Sequence, residues 1–184
     1  MEPIKLHLGA GIRNFGPEWV HIDQADFPHI KYKDVTNLSQ FEDNSVDLIY
    51  ASHLIAYFDR QEIIPILKEW NRVLKPGGTL RIATPDFDQM VDLYSTSTYS
   101  LESFLGPLYG KWSINEKTSY HKTTYNFDSL DHLLFANNFI CIHKYDWRNT
   151  EHSLIDDHSQ AYLPKGDKEN GTLISLNVEA RKPW

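Results

Sequence analysis

The chain has 184 residues, a formal net charge of −7, and charged and hydrophobic fractions of 23% and 41%, values typical of one globular domain. The acidic balance argues against a nucleic-acid partner, because nucleic-acid-binding domains present basic faces. Cys141 is the single cysteine, which excludes an internal disulfide and a cysteine-based zinc site. Without a signal-peptide core or a membrane-length apolar stretch, the sequence predicts a cytoplasmic protein with no membrane span.

The first part of the chain predicts four strands, each marked by a short apolar run. They are Ile4–Leu8, Trp19–Asp23, a weaker candidate at His29–Lys33, and Ser45–Ala51. Only the short stretch from Ile12 to Glu18 separates the first two strands. A helical crossover between parallel strands normally needs at least about 10–12 residues, so we expect the first helix to be vestigial.

The middle of the chain predicts a helix followed by a strand. From Asp59 to Leu74 apolar residues recur at three- and four-residue steps, which is the period of an amphipathic helix. Asp59 and Glu62 have the spacing of a capping box, and Pro65 is expected to bend the helix because it removes an amide donor. Lys75–Gly78 is expected to end this helix, and Thr79–Thr84 to form the fifth strand.

The remaining chain predicts two helices and two closing strands around an irregular insertion. A helix from Pro85-Asp86 to about Tyr94 precedes residues 95–125, whose poor periodicity and Ser, Thr, Tyr and Gly content indicate a long lid or insertion. A helix at Phe127–Asn137 follows. The strands Phe139–Tyr145 and Thr172–Ala180 are joined without a convincing helix, which favours an antiparallel pair at one edge.

Strands alternating with helices predict an α/β domain with a mostly parallel, seven-stranded sheet. We find no internal repeat and no linker, so the sequence predicts one domain over residues 1–184. It does not indicate an oligomeric state.

Several residues at the predicted strand ends suit a nucleotide-like ligand. Gly9 and Gly11 allow a close backbone approach, although a tight turn needs them equally. Asp23 can accept both hydroxyls of a ribose, or be an ordinary loop acid. Asp34 with Val35 suits an adenine ring, or is a surface acid beside an apolar residue. Asn14 stands where a dinucleotide fingerprint would want glycine, which disfavours a nicotinamide-dependent oxidoreductase.

In combination these segments resemble a known family. The order LHLGAG, WVHID, KDV, FEDNSVDLIYASHLIAYF and EWNRVLKPGGTLRIATPDF is similar to class I S-adenosylmethionine-dependent methyltransferases. The resemblance is closest to members found with bacterial or viral glycan-biosynthesis proteins, and the tail SQAYLPKGDKENGTLISLNVEARK resembles that group too. It implies a Rossmann-like fold and S-adenosyl-L-methionine as cofactor.

The resemblance also implies the roles of particular residues. The two glycines would wrap the amino-acid end of the cofactor, Asp23 would hold the ribose, and Asp34 with Val35 would face the adenine. Residues 51–53 would lie beside the methionine moiety and the acceptor. The implied cofactor-binding set is His7, Gly9, Ala10, Gly11, Asp23, Asp34, Val35, Ala51 and Ser52.

The chain also departs from the family pattern at two places. His7 stands where the family has an acid, and Ala56-Tyr57 stands where Glu-His is common. In some quinone methyltransferases the latter stretch supplies metal ligands, so we predict no metal here. The departures leave open a degenerate methyltransferase-like binding module that keeps the fold without turnover.

Methyl transfer to a hydroxyl needs a base whose pKa lies near neutrality, and histidine meets that need. The candidates are His53 after the fourth strand, His121 in the predicted lid, and Asp157 as a third option. Aromatic residues between Tyr94 and Tyr125 suit sugar rings, although ordinary packing explains them equally. The sequence therefore predicts O-methylation of a sugar, a glycan or another small hydroxylated acceptor.

Overall fold

The structure is a computed structural model, and it describes residues 2–96, 99–114 and 117–184, with the backbone alone at Ile114 and Lys117. Its helices are α1 (Ile63–Val73), α2 (Phe87–Thr96), α3 (Glu102–Tyr109) and α4 (Phe127–Ala136). Its strands are β1 (Lys5–Leu8), β2 (Trp19–Ile22), β3 (Ile30–Tyr32), β4 (Val46–Ser52), β5 (Leu74–Pro85), β6 (Trp112–Ile114), β7 (Lys117–Ser119), β8 (Ile140–Lys144), β9 (Tyr162–Leu163), β10 (Thr172–Leu173) and β11 (Ser175–Arg181).

Seven strands form one sheet in the order β3-β2-β1-β4-β5-β11-β8. The strands from β3 to β5 are parallel, and β11 runs antiparallel to both of its neighbours. The predicted, mostly parallel seven-stranded sheet with an antiparallel closing pair is therefore confirmed. The strand order reverses between β1 and β4, and ligands of such sheets bind at the carboxyl edge beside that reversal.

The connection between β1 and β2 contains turns and no helix, which confirms the vestigial first helix. One face of the sheet is aliphatic because alternate strand residues point to opposite faces. The strand residues Leu6, Leu8, Ile49 and Val178 are fully buried there, together with the helix residues Leu67, Trp70, Leu130 and Leu134 of α1 and α4.

The opposite face of the sheet is polar and aromatic, and residues 145–174, which join β8 to β11, cover it. We call this stretch the cover segment. His7 of β1 stacks on Phe15 with ring centroids 4.0 Å apart, and Phe15 stacks on His152 of the cover segment at 4.7 Å. Arg81 of β5 donates to Glu151 at 2.8 Å. One layer of this molecule is therefore an irregular segment held by polar and ring contacts.

Two predicted boundaries differ from the structure. The reciprocal bonds expected at Asp59 and Glu62 are present, at 2.9 Å and 2.8 Å, but they form a turn and α1 begins only at Ile63. Lys75–Gly78 was expected as a helix end alone, yet it also forms the first part of β5. The pairing of β5 with β4 shifts register there, and Gly77 has a φ of +75° that favours glycine.

Residues 95–125, predicted as an irregular lid, contain the end of α2, all of α3 and the β6–β7 hairpin. Parts of the predicted lid at 97–98 and 115–116 lie outside the described residues. The backbone nitrogen of Lys122 donates to the carbonyl of Ala56 at 2.8 Å, so this insertion is tied to the loop after β4. None of the helices within the described ranges is long and apolar enough to cross a membrane.

Candidate functional site

The glycine turn after β1 lies at the carboxyl edge and touches the loop after β4. Gly9 has a φ of +68°, and a Cβ built on it would lie 3.1 Å from a methyl carbon of Leu54. Gly11 also has a positive φ, of +52°. The turn is thus shaped for glycine at both positions, and the contact with Leu54 brings the neighbouring His53 to the same edge.

Asp23, directly after β2, is buried beside this turn. One carboxylate oxygen accepts from the backbone nitrogen of Gly11 at 2.9 Å, and the other accepts from that of Ala25 at 2.7 Å. Each oxygen offers a second lone pair. Asp23 therefore shapes the glycine turn and still presents acceptors for a pair of hydroxyls, as the resemblance implies.

The two residues predicted to contact the adenine, Asp34 and Val35, lie in different environments. Asp34 is exposed, and one of its oxygens accepts from the backbone and the hydroxyl of Thr36, at 2.8 Å and 2.6 Å. The side chain of Val35 is only 6% exposed and belongs to the aliphatic core. Its carbonyl accepts from the indole of Trp70 at 2.8 Å. We therefore correct the expectation for Val35, because its side chain is turned into the core and offers no face to a ring.

The three small residues Ala10, Ala51 and Ser52 of the predicted cofactor-binding set differ in what they can offer a ligand. Ala10 and Ala51 are buried, with exposures of 1% and 0%, so their side chains present no surface to a ligand. Ser52 has a buried hydroxyl oxygen for which the described residues supply no hydrogen-bond partner. An unpaired buried hydroxyl is costly, which makes Ser52 a polar group available at the end of β4.

His53 follows β4 in a strained, left-handed conformation with a φ of +49°. Its backbone nitrogen donates to the carbonyl of Ala83 at 2.7 Å, and its Nε2 lies 3.2 Å from the hydroxyl oxygen of Ser175. Burial holds the pKa of His53 well below its ordinary value, and His158, His121 and Arg13 lower that pKa further. The ring is therefore neutral at physiological pH and is a weaker base than a histidine whose pKa lies near neutrality.

His121 is anchored beside the same edge by the insertion. Its Nδ1 lies 3.0 Å from the carbonyl oxygen of Pro107, and its ring packs edge-on against Tyr57 at 4.7 Å. The hydroxyl of Tyr57 donates to the carbonyl of Gly110. Burial lowers the pKa of His121 below its ordinary value. Tyr57, noted in the sequence as a departure from the family, thus holds the insertion in place.

His7 and Asp157 are both buried in the structure. His7 is 2% exposed and enclosed by Phe15 and Trp19. Asp157 is 5% exposed and accepts from Tyr50, at 2.5 Å, and from both the backbone and the hydroxyl of Ser159. The ring of His7 packs against Phe15, and Asp157 links Tyr50 of the sheet to the cover segment, so the cofactor contact of His7 and the role of Asp157 as a base stay predictions.

Sequence reasoning missed two residues of this edge. The ring of His158 lies 5.1 Å from that of His53, and burial followed by Arg13 lowers its pKa. Arg13 lies just beyond the glycine turn, with its backbone nitrogen bonded to Ala10. No local pattern marks them, because the contact of His158 with His53 joins distant parts of the chain. Among the described residues, no group of three or more His, Cys, Asp or Glu side chains could hold a metal ion.

Sequence comparisons place this chain beside methyltransferases. Residues 16–82 match the model of a family described as a methyltransferase domain. A demethylmenaquinone methyltransferase of Staphylococcus haemolyticus (strain JCSC1435) is 33% identical over 114 residues, which cover 57% of this chain and 44% of that protein. The protein of the same name from Staphylococcus aureus (strain Newman) is 34% identical over 102 residues, covering 50% and 39%. The chain thus spans less than half the length of these curated relatives.

Solved structures share the fold across nearly the whole chain. A S-adenosylmethionine-dependent methyltransferase from Methanosarcina mazei has a TM-score of 0.57 and 17% identity, covering 100% of this chain and 94% of that one. A 1,6-didemethyltoxoflavin-N1-methyltransferase from Burkholderia thailandensis was solved with 1,6-didemethyltoxoflavin and S-adenosylhomocysteine bound. It has a TM-score of 0.56 and 13% identity, covering 100% and 72%.

The carboxyl edge fits the cofactor that such a fold carries. The turn at Gly9 and Gly11 leaves no room for larger side chains at Gly9, Asp23 retains acceptors for a ribose, and Ser52 offers an unpaired hydroxyl. Residues 16–82 match a methyltransferase-domain family, and the chain has the fold of class I S-adenosylmethionine-dependent methyltransferases.

Proposed function

We propose that the chain binds S-adenosylmethionine across the glycine turn and Asp23 and methylates a hydroxyl of a small acceptor, a sugar or glycan, with His53 as the base. One observation carries this proposal: the loop after β4 touches the glycine turn through Leu54. Because His53 directly precedes Leu54 in that loop, the proposal puts its imidazole beside the site where the cofactor's amino-acid end would lie.

In this mechanism the protein contributes position and a proton acceptor. When bound, S-adenosylmethionine would supply a sulfonium methyl group as the electrophile, with a neutral thioether as the leaving group. Gly9 and Gly11 would hold the amino-acid end of the cofactor and Asp23 its ribose, and in this proposal the insertion around His121 covers the edge. His53 takes the hydroxyl proton, since burial keeps its lone pair free at neutral pH.

The acceptor class is open to a direct test with two candidates. Tyr109 and Trp112 are 58% and 38% exposed on the insertion, and such rings stack on sugars as well as on aromatic ring systems. The sugar proposal rests on the resemblance to glycan-associated members. The activity for which the curated relatives are named supports demethylmenaquinone as the second candidate. An assay with labelled methyl donor, offered sugars, glycan fractions and demethylmenaquinone separately, decides between them by which product carries the label.

Replacement of His53 tests the base. His53→Asn is suited to the left-handed backbone, because asparagine tolerates positive φ better than most residues. We expect the methylation rate to fall by about 10²–10⁴ while binding of S-adenosylhomocysteine, measured by calorimetry, stays intact. His143→Asn on the exposed end of β8 is the matched control and should be fully active. An unchanged rate in His53→Asn would transfer the role to His121.

Two further outcomes would change the proposal. Binding of S-adenosylhomocysteine without turnover on any acceptor would support the degenerate binding module instead. Loss of activity with a chelator would contradict the metal-free mechanism, which we propose because Ala56 is buried and Tyr57 donates to Gly110, so that neither supplies an acidic or histidine ligand.

A further inference from the structure

We propose that Ser175 and Asn177 of β11 are positioning residues that fix the proton of neutral His53 on Nε2, so that Nδ1 is the atom that accepts the acceptor's proton. This inference rests on the proposed role of His53. It goes beyond that role by naming the reacting nitrogen and the residues that select it.

The argument begins at Asn177, whose orientation is set by the cover segment. Its side-chain nitrogen donates to the carbonyl of Ser159 at 2.9 Å. A carbonyl can only accept, so the amide nitrogen must be the atom facing it. The amide oxygen of Asn177 therefore faces Ser175, at a distance of 3.0 Å from its hydroxyl oxygen.

The next step assigns the single hydroxyl proton of Ser175. An amide oxygen has no proton to give, so the proton of Ser175 is directed to Asn177. Towards His53, at 3.2 Å, Ser175 then offers only a lone pair. The Nε2 atom must carry the ring proton to make this bond, and the lone pair of the neutral imidazole is left on Nδ1.

Burial makes this arrangement persistent. Ser175 and Asn177 are 4% and 3% exposed. Water therefore has little access to the two hydrogen bonds of Ser175 and cannot readily replace either partner. The chain of contacts continues from Ser159 to Asp157, which accepts the Ser159 hydroxyl at 2.6 Å. Asp157, considered from the sequence as a base, thus braces the residue that orients Asn177. The backbone bond from His53 to Ala83 fixes the other end.

The tautomer can be observed without turnover by ¹⁵N NMR of the histidine rings, with His53 assigned through His53→Asn. We expect wild-type His53 to carry its proton on Nε2. In Ser175→Ala and Asn177→Leu the spectrum should change to a mixture of tautomers, whereas Ser175→Thr, which keeps the hydroxyl, should restore Nε2–H. Ser39→Ala, at an exposed position, is the control and should leave the ring signals unchanged.

Two results would overturn the inference. The first is a proton on Nδ1 in the wild-type protein, which would mean that the neighbouring His158 backbone holds the ring instead. The second is an unchanged Nε2–H tautomer in both Ser175→Ala and Asn177→Leu. The wild-type measurement decides the question even if one variant fails to fold.

Methylation rates of the Ser175 variants test this inference separately from the proposed function. Ser175→Ala should lower the methylation rate by up to about 10²-fold, leave the affinity for S-adenosylhomocysteine within about twofold, and alter the pH–rate profile. Ser175→Thr should recover the rate. If His53→Asn is fully active while the tautomer behaves as expected, the proposed role of His53 fails and the hydrogen-bond assignment stands.

Discussion

Asp23 is a residue whose structural and functional roles overlap. Its two oxygens each accept a backbone bond, from Gly11 and from Ala25, so the carboxylate shapes the turn that we propose for the cofactor. A ribose would use the lone pairs that these bonds leave free. The two roles can be separated by comparing folding with binding in the same variant.

Asp23→Asn should weaken S-adenosylhomocysteine binding by at least about tenfold, because hydrogen bonds to a charged group are worth roughly 1.5–3 kcal/mol. The variant should remain folded, since the amide retains one acceptor oxygen. Calorimetric titration and a thermal melt measure both effects. Asp26→Asn, an exposed acid in the same loop that pairs with Lys33, is the matched control and should bind normally. Equal affinities in the two variants would show that another group holds the ribose.

Some residues of the candidate site could be predicted from the sequence and others could not. Gly9, Gly11 and Asp23 were predictable because they follow strands directly, and strand ends are visible as breaks in a local apolar pattern. His7 and Asp157 were not, because their surroundings include distant parts of the chain: Phe15, on which His7 stacks, stacks in turn on His152, and Asp157 bonds Tyr50. A local pattern carries no information about which distant side chain will cover a polar strand residue.

At the scale of elements, the insertion over the carboxyl edge was identified only as irregular sequence. Its helix α3 contains Gly106 and Pro107, both of which are unfavourable inside helices. The sequence pattern therefore does not indicate a helix there. The β6–β7 hairpin is only three residues long on each side. By contrast, α1 and the central strands were predicted within a few residues, because their apolar spacing is regular.

Two glycines of the insertion should respond oppositely to alanine. Gly110 ends α3 with a φ of +50°, and a Cβ there would lie 2.0 Å from Nε2 of His121. Gly110→Ala should therefore displace His121 and destabilise the insertion. Around Gly106 a Cβ meets nothing within 4 Å, so Gly106→Ala should stabilise α3 by about 0.5–1 kcal/mol. Hydrogen exchange of residues 99–114 measures both, and similar protection in the two variants would contradict the packing described for His121.

The cover segment should make stability depend on pH. Burial lowers the pKa values of His21 and His152 to about 4, from an ordinary 6.5, and lowers that of His7 well below it. The unfolded chain therefore binds more protons below pH 6.5. The contribution of these neutral rings to the free energy of unfolding is complete above pH 6.5 and is lost as the pH falls towards 4. Each histidine accounts for roughly 1.4 kcal/mol per unit of difference between its folded and unfolded pKa.

Urea unfolding at several pH values checks this expectation. Near pH 5 the slope should correspond to an uptake of at least about three protons on unfolding, because the pKa values of His53, His121 and His158 are lowered as well. His152→Gln should reduce the slope, whereas His132→Gln, at an exposed position on α4, should not. A free energy of unfolding that is flat between pH 7 and pH 5 would mean that these rings are protonated in the folded state.

At the scale of the whole molecule, β11 joins the parallel strands to the cover segment. It pairs along its full length with β5 and on its other side with β8, and Asn177 ties it to the cover segment. Disturbing β11 should therefore affect both faces of the sheet together, in keeping with our proposal that residues 1–184 form one domain.

Leu176→Ala tests this coupling. Leu176 is 1% exposed in the aliphatic core, so its truncation should cost about 2–5 kcal/mol. Tryptophan fluorescence and far-ultraviolet circular dichroism should report the same shifted transition. Leu154→Ala in the cover segment is the matched control, because that side chain is 98% exposed. Separate transitions for the two probes would indicate that the layers unfold independently.

The position of β11 has a consequence for synthesis. It is the last strand in chain order, yet it fills the place between β5 and β8. Until residues 175–181 leave the ribosome, β8 has no neighbour in the sheet, β5 has an open edge, and the cover segment has no anchor at Asn177. Open edges of this kind recruit other chains. During synthesis the edge of β5 is therefore open to pairing with other chains until β11 has been made.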